Sequence, residues 1–254
     1  MADENTRMDG KEMNLTGHLS ELRNRLIVTA VFFVLFFIFG FIYVEEIYGF
    51  FTNGLDFQLS ILSPGEVVWL YFTMAGLVAI TGTLPVLAFQ IWAFIKPGLR
   101  PHERKVSLAY IPAIFLLFIG GLVFGYVMFM QFILPFLLSL SEGMFNEMFT
   151  TERYFKFLLR ITLPFAVLFE IPVIAMFLTT LGVLNPGLMR RSRKYAYLIL
   201  IVISTMVTPP DFIMPLLISV PLIILYEISI YLSAIVYRKR QKKHEEFMKN
   251  DQLT

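Results

Sequence analysis

The chain of 254 residues is 57% hydrophobic and 16% charged, with a mean hydropathy of +0.71. That balance excludes an ordinary soluble domain, because long uncharged runs at this apolarity are the mark of membrane spans. Cysteine is absent, which excludes disulfides, thiolate metal sites and a cysteine nucleophile.

Residues 1–25 mix acids and bases, and the apolar run that follows lacks a small-residue cleavage site, so neither a signal peptide nor a transit segment is expected. Leu15, Leu19, Leu22 and Leu26 recur every three or four residues between His18, Glu21, Arg23 and Arg25. That period predicts an amphipathic segment at the membrane interface, running into the first span over 26–44. The second span is expected over 67–95 behind Ser63-Pro64-Gly65-Glu66, which reads as a capping box with Ser63 at the N-cap and Glu66 at N3. The third run, 106–141, carries no charge and exceeds the roughly 20 residues needed to cross, so it should tilt, bend near Pro112 or Pro135, or project from the lipid.

A fourth span over about 155–184 holds Arg160 and Glu170, with Gly182 as its stop and Asn185-Pro186 as the cap and first turn of the next helix. The fifth, 195–207, is short, at about 20 Å of helix. Thr208-Pro209-Pro210-Asp211 forms a tight turn, and the sixth span returns over 212–237. Spans five and six are expected to be short, leaving a concave bundle and a locally thinned bilayer beside them. The charged tail 238–254 is expected to be solvated. The chain therefore divides into an N-terminal segment 1–25, a six-helix membrane domain 26–237 and the tail.

Basic residues orient this arrangement. Stretches 1–26, 96–105, 190–194 and 238–249 hold all but three of the 21 Lys and Arg residues; the exceptions are Arg153, Lys156 and Arg160. Lys and Arg in short loops mark the cytoplasmic side, so a multi-pass protein of the cell membrane with both termini in the cytoplasm is expected. Orientation already accounts for the basic clusters, and nucleic-acid binding is not expected.

Few residues carry chemistry. Glu170 lies mid-span, where an acid ordinarily faces a bundle interior, a cavity or a partner; a hydrogen-bonded packing role is the plainer reading. Glu227 sits nearer the cytoplasmic side of span six. Glu103, in Pro101-His102-Glu103-Arg104-Lys105, falls in a first helical turn, either as charge compensation for the helix dipole or as a partner for an arriving cation. Glu21 is similarly ambiguous, because Arg25 stands four residues on. No metal-ligand spacing, P-loop, dinucleotide fingerprint or catalytic constellation is visible, so no cofactor and no enzyme activity are expected.

The segments His18-Leu19-Ser20-Glu21-Leu22-Arg23-Asn24-Arg25-Leu26, Gln90-Ile91-Trp92-Ala93-Phe94-Ile95-Lys96-Pro97-Gly98-Leu99 and His102-Glu103-Arg104 are similar to those of the TatC family, the multi-spanning core of the twin-arginine protein translocase. Phe169-Glu170-Ile171-Pro172, Thr208-Pro209-Pro210-Asp211 and Tyr226-Glu227-Ile228 continue the match in order. The resemblance implies a receptor for signal peptides with two consecutive arginines on folded cargo proteins, bound by Glu21 and Glu103. Phe94, Pro97 and Leu99 would lie beside that site where apolar signal residues pack, with Leu19, Arg23 and Arg104 in the matching motifs. It also implies transport driven by the proton-motive force, and assembly into a larger complex with further copies and with single-span TatA- or TatB-type subunits docking near Glu170. The start of span six is apolar here (Phe212-Ile213-Met214-Pro215), so any polar cluster around Glu170 has to come from Thr205 or Thr208. The rival reading is a proton-coupled small-molecule transporter centred on Glu170, which requires polar residues converging from several helices.

Overall fold

The computed structural model describes residues 2–55, 57–96, 99, 104, 107–141, 148–208 and 213–251, with side chains within 17–241 except those of His18, Leu140 and Ser141. Among these the chain is helical, with one isolated backbone bridge between Ser60 and Thr150. The elements are α1 Ala2–Ile42, α2 Val44–Thr52, α3 Pro64–Ile95, α4 Tyr110–Met128, a π-helical turn Phe129–Ile133, α5 Leu134–Ser141, α6 Thr151–Leu168, α7 Ile171–Leu181, α8 Pro186–Arg191, α9 Arg193–Val207 and α10 Ile213–Asp251. Five stretches are long and apolar enough to cross a membrane: Leu19–Ile42, Pro64–Ile95, Tyr110–Ser139, Thr151–Leu181 and Ile213–Gln241. The protein is an all-α, multi-pass membrane protein.

Its residues divide into two compact units, 1–55 with 71–100, and 56–70 with 101–254. In the first unit a ladder of Phe33, Phe37 and Phe41 on α1 meets Tyr71 and Phe72 of α3, with ring centroids 5.3–6.0 Å apart between the helices. Arg25 bonds Gln90 toward the other end of the pair. Rising numbers on α1 meet falling numbers on α3, so the two run antiparallel. The interfacial segment and the first span are one continuous helix.

In the second unit α4 packs closely on α6. A side chain at Gly121 would stand 2.6 Å from the Ala166 backbone, and one at Gly125 would stand 2.7 Å from that of Thr162; small residues let helix backbones approach in this way. Phe124 meets Phe165 edge-on and Phe169 at a tilt, and Phe129 meets Tyr154 and Phe157 edge-on. A π-helical turn precedes Pro135. Pro135 has no N–H and its ring crowds the carbonyl four residues back, and the strain is taken up by a wide turn in which the Leu134 N–H reaches the Phe129 carbonyl.

Against α10, the contacts of α7 rise in step. Ala175 shares a buried cluster with Ile230, Thr179 Oγ1 lies 2.7 Å from Ser233 Oγ, and Gly182 faces Arg240. These helices therefore run parallel. Gly182 ends α7 in the left-handed region, φ 79°, where only glycine sits without strain. As expected, Asn185 caps α8, its Oδ1 accepting from the Gly187 N–H at 2.8 Å, with Pro186 in the first turn.

Two expectations need correction. Span six is not short: α10 has 39 residues, 29 of them in the apolar stretch, and only α9, with 15, is short. Pro215 falls in the first turn, where no donor is required, and the Arg- and Lys-rich segment after Tyr237 consists of good helix formers that carry the helix onward. The capping box at α3 is also incomplete. The Glu66 N–H meets the Ser63 carbonyl at 3.1 Å, but the Glu66 side chain turns inward, buried, with Oε2 lacking any hydrogen-bond partner.

Candidate functional site

Two places in the fold concentrate the candidate residues. The first is where α1 approaches the end of α3. One helical turn separates Glu21 from Arg25, and the expected i,i+4 pair forms: Arg25 Nε and Nη2 both donate to Glu21 Oε1, at 3.1 and 2.5 Å. Arg25 Nη1 then donates to Gln90 Oε1 at 3.2 Å. A carboxylate that reads as a local ion pair in sequence is thereby tied to the neighbouring helix. Phe94 follows Gln90 by one turn and shares its face; it is half-buried. Leu19 and Arg23 are exposed beside Glu21.

α3 stops at Ile95, two residues before Pro97, which disfavours helical backbone in the residue preceding it. Lys96 lies over the Trp92 ring, 5.2 Å from its centroid, and the Leu99 N–H bonds the Lys96 carbonyl at 3.1 Å. Leu99 itself is buried. Pro97 and Glu103 lie outside the described residues. Arg104 is half-buried, its carbonyl accepting from Ser107 Oγ at 3.3 Å.

The second place is the break between α6 and α7. Pro172 removes an N–H and crowds the Leu168 carbonyl, so the helix opens at Phe169-Glu170. Phe169 bonds back to Phe165, Glu170 to Val167 and Ile174 to Glu170. Glu170 caps α7 with its side chain 7% exposed, and neither carboxyl oxygen has a hydrogen-bond partner. Among the described residues, the partial positive charge of the α7 N-terminus is the compensation on offer. Thr205 and Thr208 do not supply the expected cluster. Their hydroxyls bond within their own helix, to the Val202 and Ser204 carbonyls, at 2.7 and 3.0 Å, because a threonine in a helix meets the carbonyl one turn back sooner than a group across a gap.

Glu227 is arranged in the opposite way. Arg193 Nη2 donates to its Oε2 at 2.5 Å and the Tyr197 hydroxyl donates to its Oε1. This ties the start of α9 to α10, and the Tyr226 hydroxyl adds a bond to the Met189 carbonyl at 3.0 Å. Arg160, an isolated charge in sequence, reaches the last turn of α9, where Nη2 donates to the Met206 carbonyl at 2.5 Å. Cations are favoured at a helix C-terminus, where carbonyls lack intrahelical partners.

Sequence reasoning overlooked the coupling of Gln90 to Glu21 through Arg25. The only available signal was an amide one turn before Phe94 in an otherwise apolar run. It also overlooked the inward turn of Glu66, for which an acid in the first turn of a span is an ambiguous sign. No group of three or more His, Cys, Asp or Glu capable of holding a metal occurs among the described residues.

Comparison with known proteins agrees with this architecture. The family model described as Sec-independent protein translocase protein (TatC) matches residues 17–221. The chain is 48% identical to the Sec-independent protein translocase protein TatCd of Bacillus subtilis, over 93% of this chain and 98% of that one. It is 38% identical to the TatC protein of Halalkalibacterium halodurans, over 96% and 100%. A crystal structure of the twin arginine translocase receptor TatC superposes with a TM-score of 0.74 at 29% identity, covering 86% of this chain and 99% of that one. The chain belongs to the TatC family of Sec-independent protein translocase proteins.

Proposed function

We propose that this chain is the signal-peptide receptor at the core of a twin-arginine translocase, recognising two consecutive arginines on folded cargo through the carboxylates of Glu21 and Glu103. The observation that carries the reading is the Glu21–Arg25–Gln90 linkage. It holds a carboxylate beside the end of α3, one turn from Phe94, under a guanidinium already forked onto it. An arriving arginine can replace Arg25 or share its acceptor with the same planar geometry, whereas lysine offers only a point charge. Phe94 and Leu19 provide apolar surface next to that carboxylate, and the same reading assigns the motif residues Arg23, Arg104, Pro97 and Leu99 to signal-peptide binding.

The same reading places the chain in the cell membrane with both termini cytoplasmic and six crossings, powered by the proton-motive force. The parallel packing of α7 and α10 supports the sixth crossing, since the chain has to return between them and α9 is the element available. The divisions 1–25, 26–237 and 238–254 follow as interfacial segment, membrane domain and tail. Glu170, buried without a partner, is the docking point for a polar group of a single-span TatA- or TatB-type subunit, with Thr205 and Thr208 at the edge of that surface. Further copies of the chain complete the complex. The transporter reading is disfavoured because Glu227 is already paired and no polar group converges on Glu170 among the described residues.

The test is binding of the purified protein, in nanodiscs, to a signal peptide with Arg-Arg and to its Lys-Lys twin, repeated with Glu21→Ala and Glu103→Ala. A strong Arg-Arg preference lost in either variant is the expected result. Equal binding of the two peptides, or a preference that survives both substitutions, rejects the site.

A further inference from the structure

Three basic residues escape the positive-inside pattern, and the fold places them together. Arg153, Lys156 and Arg160 follow i, i+3, i+7 spacing on α6, so they form one stripe. All three are exposed. The same stripe continues into Pro164 and exposed Val167, which are apolar, so its charge is confined to the first half of the helix. Among the described residues the acid paired with it is Glu152, on Lys156. The Arg153 side chain has no partner among the described residues.

Neighbouring elements give this stripe a depth. Lys156 lies 5.2 Å from the centre of the Trp69 ring, and tryptophan is the side chain of the membrane–water boundary. Arg160 is one turn further along, about 6 Å deeper, where it meets the Met206 carbonyl in the last turn of α9. α9 has 15 residues, about 22 Å against a hydrocarbon thickness of about 30 Å. Headgroups have to descend at one end of a helix that short, and Arg160 marks the end where the backbone runs out. Its guanidinium spends one donor on Met206 and keeps others for an acceptor.

We propose that Arg153, Lys156 and Arg160 bind the phosphate of an anionic phospholipid drawn down beside the end of α9, in the leaflet opposite the termini. This rests on the reading that α9 crosses the bilayer. Arginine forks match a phosphodiester bidentately, and each basic side chain at a membrane surface contributes enough for about a fivefold change in affinity toward anionic lipid. An acidic segment of a partner protein is the competing occupant. The lipid is favoured because the stripe faces outward along three turns beside an interfacial tryptophan and a helix too short for the bilayer.

The experiment titrates the full chain in detergent with phosphatidylglycerol, with phosphatidylcholine of the same acyl chains and with free glycerol phosphate, read by native mass spectrometry. The variants are Arg153→Gln with Lys156→Gln, both at exposed positions, then Arg160→Gln, with Arg238→Gln and Lys239→Gln as a control at the other end of the membrane domain. Phosphatidylglycerol should lose at least about tenfold in affinity in the double variant and about fivefold in Arg160→Gln, with phosphatidylcholine and the control unchanged and glycerol phosphate failing to compete. Equal affinity for the two lipids, an unaltered preference in both α6 variants, or competition by free glycerol phosphate overturns the lipid site. So does loss of a co-purifying protein subunit without loss of lipid. Sidedness is read separately with Arg153→Cys in this cysteine-free chain: a membrane-impermeant maleimide should label it from outside intact cells. Labelling from the cytoplasmic side alone overturns the leaflet assignment and the six-crossing reading with it, whatever the affinities.

Discussion

The two acids of the apolar helices show how one residue type takes opposite roles within one compact unit. Around Glu227 a neighbouring helix supplies the polar groups: Arg193 and Tyr197 from α9 close on its two oxygens, and the adjacent Tyr226 hydroxyl ties the same turn of α10 to α8. Around Glu170 both oxygens are left without a donor among the described residues. A satisfied carboxyl group holds helices together. An unsatisfied one is a standing cost of about 1–3 kcal/mol or more, which an arriving donor can relieve. The first arrangement belongs to the fold, and the second is the one the proposed function assigns to a docking subunit.

Substitutions can break or sharpen this contrast. The largest effect is expected from Gly121→Val, which would drive a side chain into the Ala166 backbone and Phe169 just before Glu170. A loss of about 3 kcal/mol, seen as a much lower melting temperature in detergent, would show that the fold around the α6–α7 break depends on the α4–α6 contact; an unchanged melt would remove that contact from the account. Glu227→Ala should cost about 1–2 kcal/mol, below the value for a buried charged pair because the Glu227 and Arg193 side chains are 37% and 44% exposed. A double-mutant cycle with Arg193→Gln should give a coupling of about 1 kcal/mol, and a coupling near zero would mean the bond is not formed in solution.

Thr179→Val removes the hydroxyl pair with Ser233 between α7 and α10. About 0.6 kcal/mol is expected, the usual size for a hydrogen bond between membrane helices, and Ser233→Ala should add nothing once Thr179 is gone. The smallest stability effect belongs to Glu170→Gln, within about 0.5 kcal/mol, because no bond inside the chain is lost. Its retention of single-span subunits on purification should nevertheless fall sharply. A melting temperature several degrees lower, with subunit retention intact, would place the partner of Glu170 inside the chain and reverse the comparison.

Much of this was legible in residue order. Periodicity and the absence of charge located the apolar runs, since a helix in lipid has to satisfy its backbone internally and declares itself by length. Asn185-Pro186 and Gly182 announced their caps, and Glu21 with Arg25 announced an i,i+4 pair, because these interactions join residues within one turn. The paired and unpaired acids were not distinguishable in this way. Glu170 and Glu227 look alike in sequence, and the difference lies in what other helices bring to them. Gln90 beside Arg25, Arg160 beside Met206 and the inward turn of Glu66 are contacts between segments 40 or more residues apart or choices of rotamer, and neither leaves a periodic trace.

Sequence alone therefore determined that this chain is a helical membrane protein, where its apolar runs lie, and which family motifs it carries, because hydropathy, capping and charge asymmetry act along the chain. Tertiary structure alone decided which carboxyl groups are satisfied, which way α7 runs against α10, and that the three leftover cations form one outward stripe at the end of a short helix. Those outcomes depend on helix packing, where close approach at Gly121 and Gly125 sets the facing residues, and that geometry exists only once the helices have met.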